Sequence, residues 1–437
     1  MGIGRILAEI NHLVLLGALI VLSGLGAYLW FSIAEYLRRR RSALAEEARL
    51  LSLPLPGDHE LPDVLVQIPV FNEGEIVARA AAAVGALEWP RERLHIQILD
   101  DSTDGSEASS AQAVAMLRAR KIDAELIHRN DRAGFKAGAL AAGLARNEHP
   151  FVAIFDADYV PPVDFLRQAL RPLLADSRLA LVQARIDFLN GQESLVTRVQ
   201  QRILDAHYTV EQPVRSWSGL VVQFNGTCGV WRRAAIDDAG GWEGDTLLED
   251  LDLSYRVQLR GWRGLFLRKV AVPGELPNTI EAWQTQQFRW NKGCAEVARK
   301  LLPLVWRSEI PTVHKLLSTI QLTAGVLGTA VAVALVTGIA DLVDGSGPTL
   351  LSTVLVVCAI VPGLGAIITM SLLGQRELRG ARIRDEIVRL PESLVMFFYG
   401  AVSTLRGVIE AWLGRASEFV RTPKRGGTLG GEAPSDG

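Results

Sequence analysis

Carboxylates follow three short apolar segments of this sequence, and their spacing indicates where chemistry could occur. Asp156 and Asp158 come directly after FVAIF, Asp100 and Asp101 end the run LHIQILDD, and Glu73 follows shortly after DVLVQIPV. Paired carboxylates supply the oxygen ligands that Mg²⁺ and Mn²⁺ prefer, and such cations often bridge a protein carboxylate to a substrate phosphate. We therefore predict that Asp156 and Asp158 hold Mg²⁺ or Mn²⁺.

The segments that carry these carboxylates alternate with helical patterns. Apolar runs that are typical of buried strands occupy 63–70, 94–101, 124–129, 151–158 and 179–186. Strand–helix alternation of this kind predicts an α/β fold, a mostly parallel sheet with helices on both faces. Ligands bind at the carboxyl ends of the strands in such sheets, so we expect the three acidic clusters to meet in one crevice.

Other polar residues of this region suggest nucleotide binding. Asp100 and Asp101 can accept hydrogen bonds from base or ribose groups, although Ser102 or Asp104 could equally cap the next helix. Lys136 begins a predicted helix in AGFKAGAL. A cation beside a helix N-terminus suits a pyrophosphate, and an ordinary surface lysine is the alternative.

Composition excludes several classes of protein. The chain has 437 residues, of which 49% are hydrophobic, and a formal net charge of -2. These values exclude intrinsic disorder and a strongly basic nucleic-acid binder. The cysteines, Cys228, Cys294 and Cys358, lie far apart, which argues against a disulfide framework or a structural zinc site.

Long apolar stretches indicate that part of the chain lies in a lipid bilayer. Residues 12–37 are long enough to span it, and they precede Arg38-Arg39-Arg40-Arg41 rather than a signal-peptide cleavage site. The arginines place that side of the span in the cytoplasm. Further spans are predicted at 315–343 and 349–373, and 390–405 reads as a fourth span or a re-entrant segment.

Residues 276–308 are amphipathic and contain Trp283, Trp290 and Trp306. This pattern favours a helix on the cytoplasmic face of the membrane, with an ordinary surface helix as the alternative.

Seven motifs occur in a characteristic order: QIPVFNE, ILDDSTDGS, AGFKAGAL, FDADYVPP, QFNGTCGVWRR, LLEDLDLSYR and QTQQFRW. Together they cover about 63–292. The set resembles the signature of processive family 2 glycosyltransferases of the cellulose-synthase-like group, within it the bacterial and plant glucomannan (mannan) synthases. The resemblance implies a GT-A-like fold and an inverting, metal-dependent transfer of a hexosyl unit from UDP-glucose or GDP-mannose to a growing β-glycan.

The resemblance also implies roles for individual residues. Asp250, the last residue of Leu248-Glu249-Asp250, matches the general base of the family's Thr-Glu-Asp motif, although Leu248 replaces the usual threonine. A carboxylate in a charged helix end is the alternative for Asp250, and a membrane anchor is the alternative for Trp290. The implied sites are donor binding by Glu73, Asp100, Asp101, Lys136, Asp156, Gln286 and Arg289, metal binding by Asp156 and Asp158, and acceptor binding by Asn225, Gly226, Thr227, Glu249 and Trp290.

The expected organisation follows from the motifs and the apolar stretches. We predict an N-terminal transmembrane helix (1–37), a cytoplasmic linker (38–62), a GT-A-like domain (63–275), an interfacial helix (276–311), transmembrane or re-entrant segments (312–414) and a disordered cytoplasmic tail (415–437). The expected location is a bacterial inner membrane with the catalytic domain in the cytoplasm. The expected partners are a nucleotide sugar, an acceptor and the bilayer, but no nucleic acid.

Two alternative functions remain open at this point. Three or four spans would leave a narrow channel for a polymer, so an oligomer, an export partner or a lipid acceptor such as ceramide or diacylglycerol stays open. A non-catalytic subunit that binds nucleotide sugar is the second alternative.

Overall fold

The strands lie in one sheet at the middle of the chain. The computed structural model describes residues 3–323, 330, 333–334, 336–337 and 350–415. The strands are β1 (Val64–Val70), β2 (Leu94–Asp100), β3 (Asp123–His128), β4 (Phe151–Ile154), β5 (Leu179–Phe188), β6 (Gly229–Arg232) and β7 (Arg263–Gly274). Their order across the sheet is β3-β2-β1-β4-β6-β5-β7. Only β6, among these strands, runs antiparallel to its neighbours, so the predicted mostly parallel α/β fold is confirmed.

The helices that surround the sheet create a core on each face. They are α1 (Ile3–Leu51), α2 (Ile76–Val84), α3 (Glu107–Ala119), α4 (Phe135–Leu144), α5 (Phe165–Ala175), α6 (Leu195–Ala206), α7 (Gln212–Trp217), α8 (Arg233–Asp238), α9 (Glu249–Leu259), α10 (Ile280–Arg307), α11 (Thr312–Leu322), α12 (Leu350–Arg379) and α13 (Ile383–Trp412). Side chains of β1 alternate between the faces. Val66 packs with Val77 of α2 and Leu166 of α5, whereas Leu65 packs with Leu140 of α4 on the other face.

Two buried amides and a partly exposed carboxylate form a hydrogen-bonded row across β1, β2 and β3. Gln67 of β1 pairs with Gln97 of β2, and Gln97 pairs in turn with Glu125 of β3. Gln67 Nε2 donates to Gln97 Oε1 at 2.9 Å, and Gln97 Nε2 donates to Glu125 Oε1 at 2.6 Å. Because buried polar groups need their partners, this row favours one register among the three strands.

Helix α1 is far longer than a bilayer requires. Its 49 residues span about 73 Å at 1.5 Å per residue, more than twice the thickness of a bilayer core. The arginine run near its middle contacts other elements. Arg39 donates to the carbonyl of Trp217 in α7 at 2.9 Å, and Arg40 pairs with Glu377 of α12 at 2.9 Å.

The structure describes some of the predicted membrane segments and leaves others outside its described residues. Among the described residues, one helix, Glu9–Leu51, is long and apolar enough to cross a membrane. The predicted segment 349–373 lies almost wholly within α12, and 390–405 lies within α13. Much of the predicted span 315–343, and the predicted tail after Arg415, lie outside the described residues.

The predicted interfacial helix is α10, and most of it packs against protein. It contacts α9, α11 and α13. Trp283 is buried and Lys292 is 0% exposed, whereas Trp306 near the helix end is 47% exposed. Lys292, a basic residue of this amphipathic segment, therefore lies in a buried contact and not on the surface of the helix.

Gly143 of α4 leaves room for the row of amides, and its replacement tests that row. A Cβ atom at Gly143 would lie 2.4 Å from Gln67 Nε2 and 2.5 Å from Gln97 Oε1. We expect Gly143→Ala to lower the free energy of unfolding by about 1–3 kcal/mol, since overpacking must displace buried amides. The control is Gly24→Ala, because no atom lies within 4 Å of a Cβ there. Thermal unfolding in detergent measures both; equal melting temperatures would contradict the expectation.

Candidate active site

A cavity of about 610 Å³ lies at the carboxyl ends of the central strands. The elements around it are the ends of β1, β2 and β4, the start of α4 and α9, and one side of α6 and α10. The predicted site residues that line it are Glu73, Asp101, Lys136, Asp156, Asp158, Asn225, Gly226, Thr227, Glu249, Asp250, Gln286, Arg289 and Trp290. Their convergence follows from the parallel strands, whose ends open on the same crevice.

Asp100 is the predicted donor residue that does not line this cavity. Its side chain is fully buried, and Oδ1 accepts a hydrogen bond from the Ser102 N–H at 2.7 Å. The next residue, Asp101, faces the cavity and holds Arg129 through two bonds of 2.8 and 2.5 Å. Arg129 was not predicted, although its place directly after β3, at the same edge of the sheet, was a usable signal.

Lys136 joins three parts of the site. Its Nζ donates to Asp156 Oδ1 at 2.5 Å and to the Gly226 carbonyl at 2.9 Å. The Asp156 N–H donates to Thr227 Oγ1 at 3.0 Å, which ties the same loop to the end of β4. Burial lowers the pKa of Lys136, but the carboxylates of Asp156 and Glu249 outweigh it and the net shift is upward. Lys136 therefore stays protonated at neutral pH.

Asp158 is held by residues from two other elements. Its Oδ2 accepts from the Glu275 N–H at 3.3 Å. Arg79 of α2 donates to Glu275 Oε1 at 2.6 Å and to the Asp158 carbonyl at 3.3 Å. These contacts fix the backbone that carries the Asp156-x-Asp158 pair.

The two aspartates fit a hard divalent cation, although only in part. The described residues contain no group of three or more histidines, cysteines or carboxylates that could hold a metal alone. Asp156 and Asp158 offer carboxylate oxygens at one end of the cavity. Mg²⁺ is commonly bound through one or two carboxylates, with water and substrate phosphates completing its shell.

Asp250 lies in the first turn of α9 and faces the lysine across a glycine. Its Oδ1 accepts from the Leu251 N–H at 2.7 Å. A Cβ atom at Gly226 would lie 3.0 Å from Asp250 Oδ2 and 3.4 Å from Lys136 Nζ, and Gly226 has φ +77°. A residue without a side chain is thus needed there.

Burial and the neighbouring Glu249 raise the pKa of Asp250 to about 7, and Lys136 opposes the shift. A carboxyl group that titrates near neutrality suits proton transfer. Leu248, which replaces the threonine of the family motif, packs instead near the α10 backbone at Gly293.

Helix α10 supplies the opposite wall. Gln286, Arg289 and Trp290 are three and four residues apart, so they share one face of the helix and line the cavity. Burial lowers the pKa of Arg289, while Glu249 and Asp156 oppose that shift. Arginine remains charged under such conditions and can bind a phosphate through two parallel donors.

Two further pairs of residues, which the sequence analysis missed, line the cavity. His207 and Glu211 lie on a π-helical turn, His207–Glu211, and are joined at 2.7 Å between Nδ1 and Oε2. Arg132 stacks on Phe71, with its guanidinium carbon 3.3 Å from the ring centroid. The π-helical turn has no clear sequence signal, whereas Phe71 lies within the QIPVFNE motif, two residues before Glu73.

Comparison with known proteins finds sequence similarity to glycosyltransferases. Residues 151–370, half of the chain, match the sequence profile of glycosyl transferase family group 2. Glucomannan 4-beta-mannosyltransferase 2 of Arabidopsis thaliana is 45% identical over 265 residues, which are 59% of this chain and 50% of that protein. Glucomannan 4-beta-mannosyltransferase 1 of Oryza sativa subsp. japonica is 44% identical over 266 residues, 60% of this chain and 51% of that protein. The matched part spans about half the length of these curated relatives.

A solved structure with a similar fold is "Mannosyltransferase PcManGT from Pyrobaculum calidifontis in complex with GDP-Man and Mn2+". It is 16% identical, has a TM-score of 0.57 and covers 90% of this chain and 100% of its own. The likeness concerns the fold and confirms the predicted GT-A-like architecture. Because both curated relatives are plant proteins, they give no support to the predicted bacterial inner membrane.

The raised pKa of Asp250 makes a prediction about stability. The folded state binds this proton more tightly than the unfolded chain, so unfolding releases it between the ordinary value of 3.8 and about 7. The free energy of unfolding therefore falls as the pH rises through that window.

Asp250→Asn removes the charge and keeps the shape, so we expect it to melt at a higher temperature than wild type at pH 8. The difference should amount to roughly 1 °C for each kcal/mol relieved, because the entropy of unfolding grows with the 437 residues of the chain. It should shrink towards zero at pH 4, where both side chains are neutral. Calorimetry at the two pH values measures it, and a variant less stable than wild type at pH 8 would contradict the raised pKa.

Proposed function

The chain belongs to glycosyl transferase family group 2, and we propose that it transfers a hexosyl unit from a nucleotide sugar to the end of a growing β-glycan. The reaction inverts the anomeric carbon and depends on a divalent metal. The observation that carries this proposal is Asp250, whose pKa is raised to about 7 at a cavity that also holds the paired Lys136 and Asp156.

The donor half of the cavity suits a diphosphate. Lys136 stays protonated because carboxylates surround it, and Arg289 offers a planar set of donors from the opposite wall. Both cations would stabilise the negative charge that develops on the leaving diphosphate. Asp156 and Asp158 would hold a divalent cation, which supplies further charge neutralisation when bound.

The acceptor half suits an attacking hydroxyl. In its carboxylate form, Asp250 takes the proton of the acceptor hydroxyl as that oxygen bonds to the anomeric carbon. The bond between the anomeric carbon and the diphosphate oxygen breaks in the same displacement. Attack from the opposite face gives a β-linkage from an α-linked donor. Trp290 offers a flat apolar surface for an acceptor ring, and Asn225, Gly226, Thr227 and Glu249 line the same cavity.

We propose a mannosyl donor, GDP-mannose, in preference to UDP-glucose. The names of the relatives support a mannosyl unit and a 4-β-linkage, although the matched segment spans only half of each relative.

We propose that the protein is anchored in a membrane with its catalytic domain in the cytoplasm. The apolar part of Glu9–Leu51 supports a span, and exposed apolar residues such as Leu13 and Ile20 on α1 and Val361 on α12 support contact with lipid. The arginine run 38–41 supports the orientation.

The proposal predicts transfer by purified protein in nanodiscs supplied with Mn²⁺ or Mg²⁺. Radiolabelled GDP-mannose and UDP-glucose are offered separately, and the product is sized and treated with β-mannanase. We expect a long product from GDP-mannose that this enzyme degrades. An organic-extractable product would contradict the glycan acceptor and indicate a lipid, and no transfer from either donor would contradict the proposed function.

Asp250→Asn tests the base in the same assay. Removal of general-base catalysis should lower kcat by roughly 10²- to 10⁴-fold. The wild-type rate should rise with pH through about 7, as the Asp250 carboxyl loses its proton. Asp237→Asn, whose carboxylate is 56% exposed, is the matched control and should keep full activity. Full turnover by Asp250→Asn would contradict the assignment.

Asp158→Asn tests the metal site. EDTA should abolish wild-type transfer, and Mn²⁺ or Mg²⁺ should restore it. The variant should need at least roughly 10-fold more metal for half-maximal rate, since even the loss of a residue that only supports a ligand costs that much. Asp123→Asn, an exposed carboxylate of β3, should respond to metal as the wild type does. Undiminished transfer after exhaustive chelation would contradict the metal requirement.

A further inference from the structure

Helix α13 contacts both walls of the active-site cavity. One wall is the face of α6 that carries Gln200 and Ile203, and the other is the face of α10 that carries Trp283 and Arg289. The chain reaches α13 only after α11 and α12, yet the helix packs on both α6 and α10. None of the α13 side chains that the structure describes lines the cavity, so the helix can fix the distance between the walls from behind them.

The N-terminal part of α13 is fastened to α6 by a buried arginine. The Arg202 side chain is 4% exposed. Its Nε donates to Glu386 Oε2 at 3.1 Å and its Nη1 to Glu392 Oε2 at 3.0 Å. Removal of this buried cation takes one partner from each carboxylate, although Glu386 keeps Arg389 at 3.6 Å. The loss of a buried ion pair is costly enough to open the contact.

The middle of α13 is wedged between the walls. Met396 is buried and packs with Val196 and Val199 of α6 and with Trp283 of α10. Trp283 also lines the cavity. Met396 of α13 thus packs against both α6 and a tryptophan that lines the cavity.

The C-terminal part of α13 is fastened to α10 by a buried lysine. The Lys292 side chain is 0% exposed, and its Nζ lies 3.4 Å from Glu410 Oε2 and 2.8 Å from the Arg415 carbonyl. Arg299 of α10 donates to the Ala411 carbonyl at 3.0 Å. Cations at the end of a helix satisfy its last carbonyls and its dipole, so both contacts hold this end of α13 on α10. Lys292 lies two residues after Trp290, which lines the cavity.

We propose that α13 is a strut that sets the width of the cavity between α6 and α10, with Arg202 and Lys292 as positioning residues at its two ends. A cavity of fixed width keeps an acceptor ring seated against α10 while the donor site is refilled. Loss of the contacts of either Arg202 or Lys292 should let the walls separate. The product should then be shorter. The effect on product rests on the proposed function, whereas the separation of the walls does not.

The separation can be measured without substrate, through two cysteines. Cys294 of α10 lines the cavity, and Cys228 is fully buried in the sheet. Arg202→Met, Lys292→Met and the double variant are treated with a neutral maleimide, and mass spectrometry of peptides gives the labelling rate of each cysteine. We expect Cys294 to react roughly 5- to 100-fold faster in each variant, with Cys228 unchanged, since local opening exposes the cavity alone.

The double variant decides whether one strut connects the two ends. If α13 acts as a unit, the double variant should label Cys294 no faster than the faster single variant, because one cut already frees the walls. Arg202→Lys and Lys292→Arg should restore slow labelling. The control Arg384→Met removes an arginine of α13 that is 87% exposed, and it should leave both rates unchanged.

Activity provides the second measurement. With GDP-mannose, Arg202→Met and Lys292→Met should yield shorter products, while the KM for the donor stays within about twofold of wild type. Unchanged Cys294 labelling in Arg202→Met, equal acceleration of Cys228, or multiplied effects in the double variant would each overturn the strut. Absence of transfer by the wild type would contradict only the proposed function, since the labelling rates still decide the inference.

Discussion

The half-buried ion pair between Lys136 and Asp156, whose side chains are 18% and 34% exposed, is the interaction on which the rest of the site depends. Charges are costly to remove from water, and a buried one persists only among partners. Here the lysine at the start of α4 faces Asp156 after β4, the Gly226 carbonyl and, across that glycine, Asp250. Opposite charges from separate elements thus balance one another within a single crevice.

This balance explains the different proton affinities of the carboxylates. Burial raises the pKa of both Glu249 and Asp250. The pKa of Asp250 is raised further by Glu249, and Lys136 limits both rises. The result for Asp250 is a group that exchanges a proton near neutral pH, as the proposed base requires. The same surroundings keep Lys136 cationic, as a diphosphate site requires. One cluster therefore supplies an acid–base group and a fixed positive charge.

Much of this arrangement could be predicted from the sequence, because local patterns determine it. The apolar runs of β1–β5 identify parallel strands, and their carboxyl ends locate the crevice. β6 could not be predicted in the same way: it has four residues, and its antiparallel pairing with β4 and β5 depends on partners far along the chain. The sequence also could not tell which of two adjacent aspartates faces the cavity. Asp100 is buried away from it, whereas Asp101 lines it.

The contacts that hold the walls of the cavity had no local signal. No sequence pattern identifies the partners of Arg202 and Lys292, which lie more than a hundred residues away along the chain. His207 and Glu211 meet on a π-helical turn, a geometry that helical periodicity does not reveal.

The configuration of the product at its new linkage tests the central claim most directly. The wild-type protein is given GDP-α-mannose or UDP-α-glucose, and the anomeric coupling of the product is read by NMR. The account predicts a β-linkage, because Asp250 promotes a single displacement from the face opposite the diphosphate. An α-linkage would contradict it, since retention of configuration excludes that displacement.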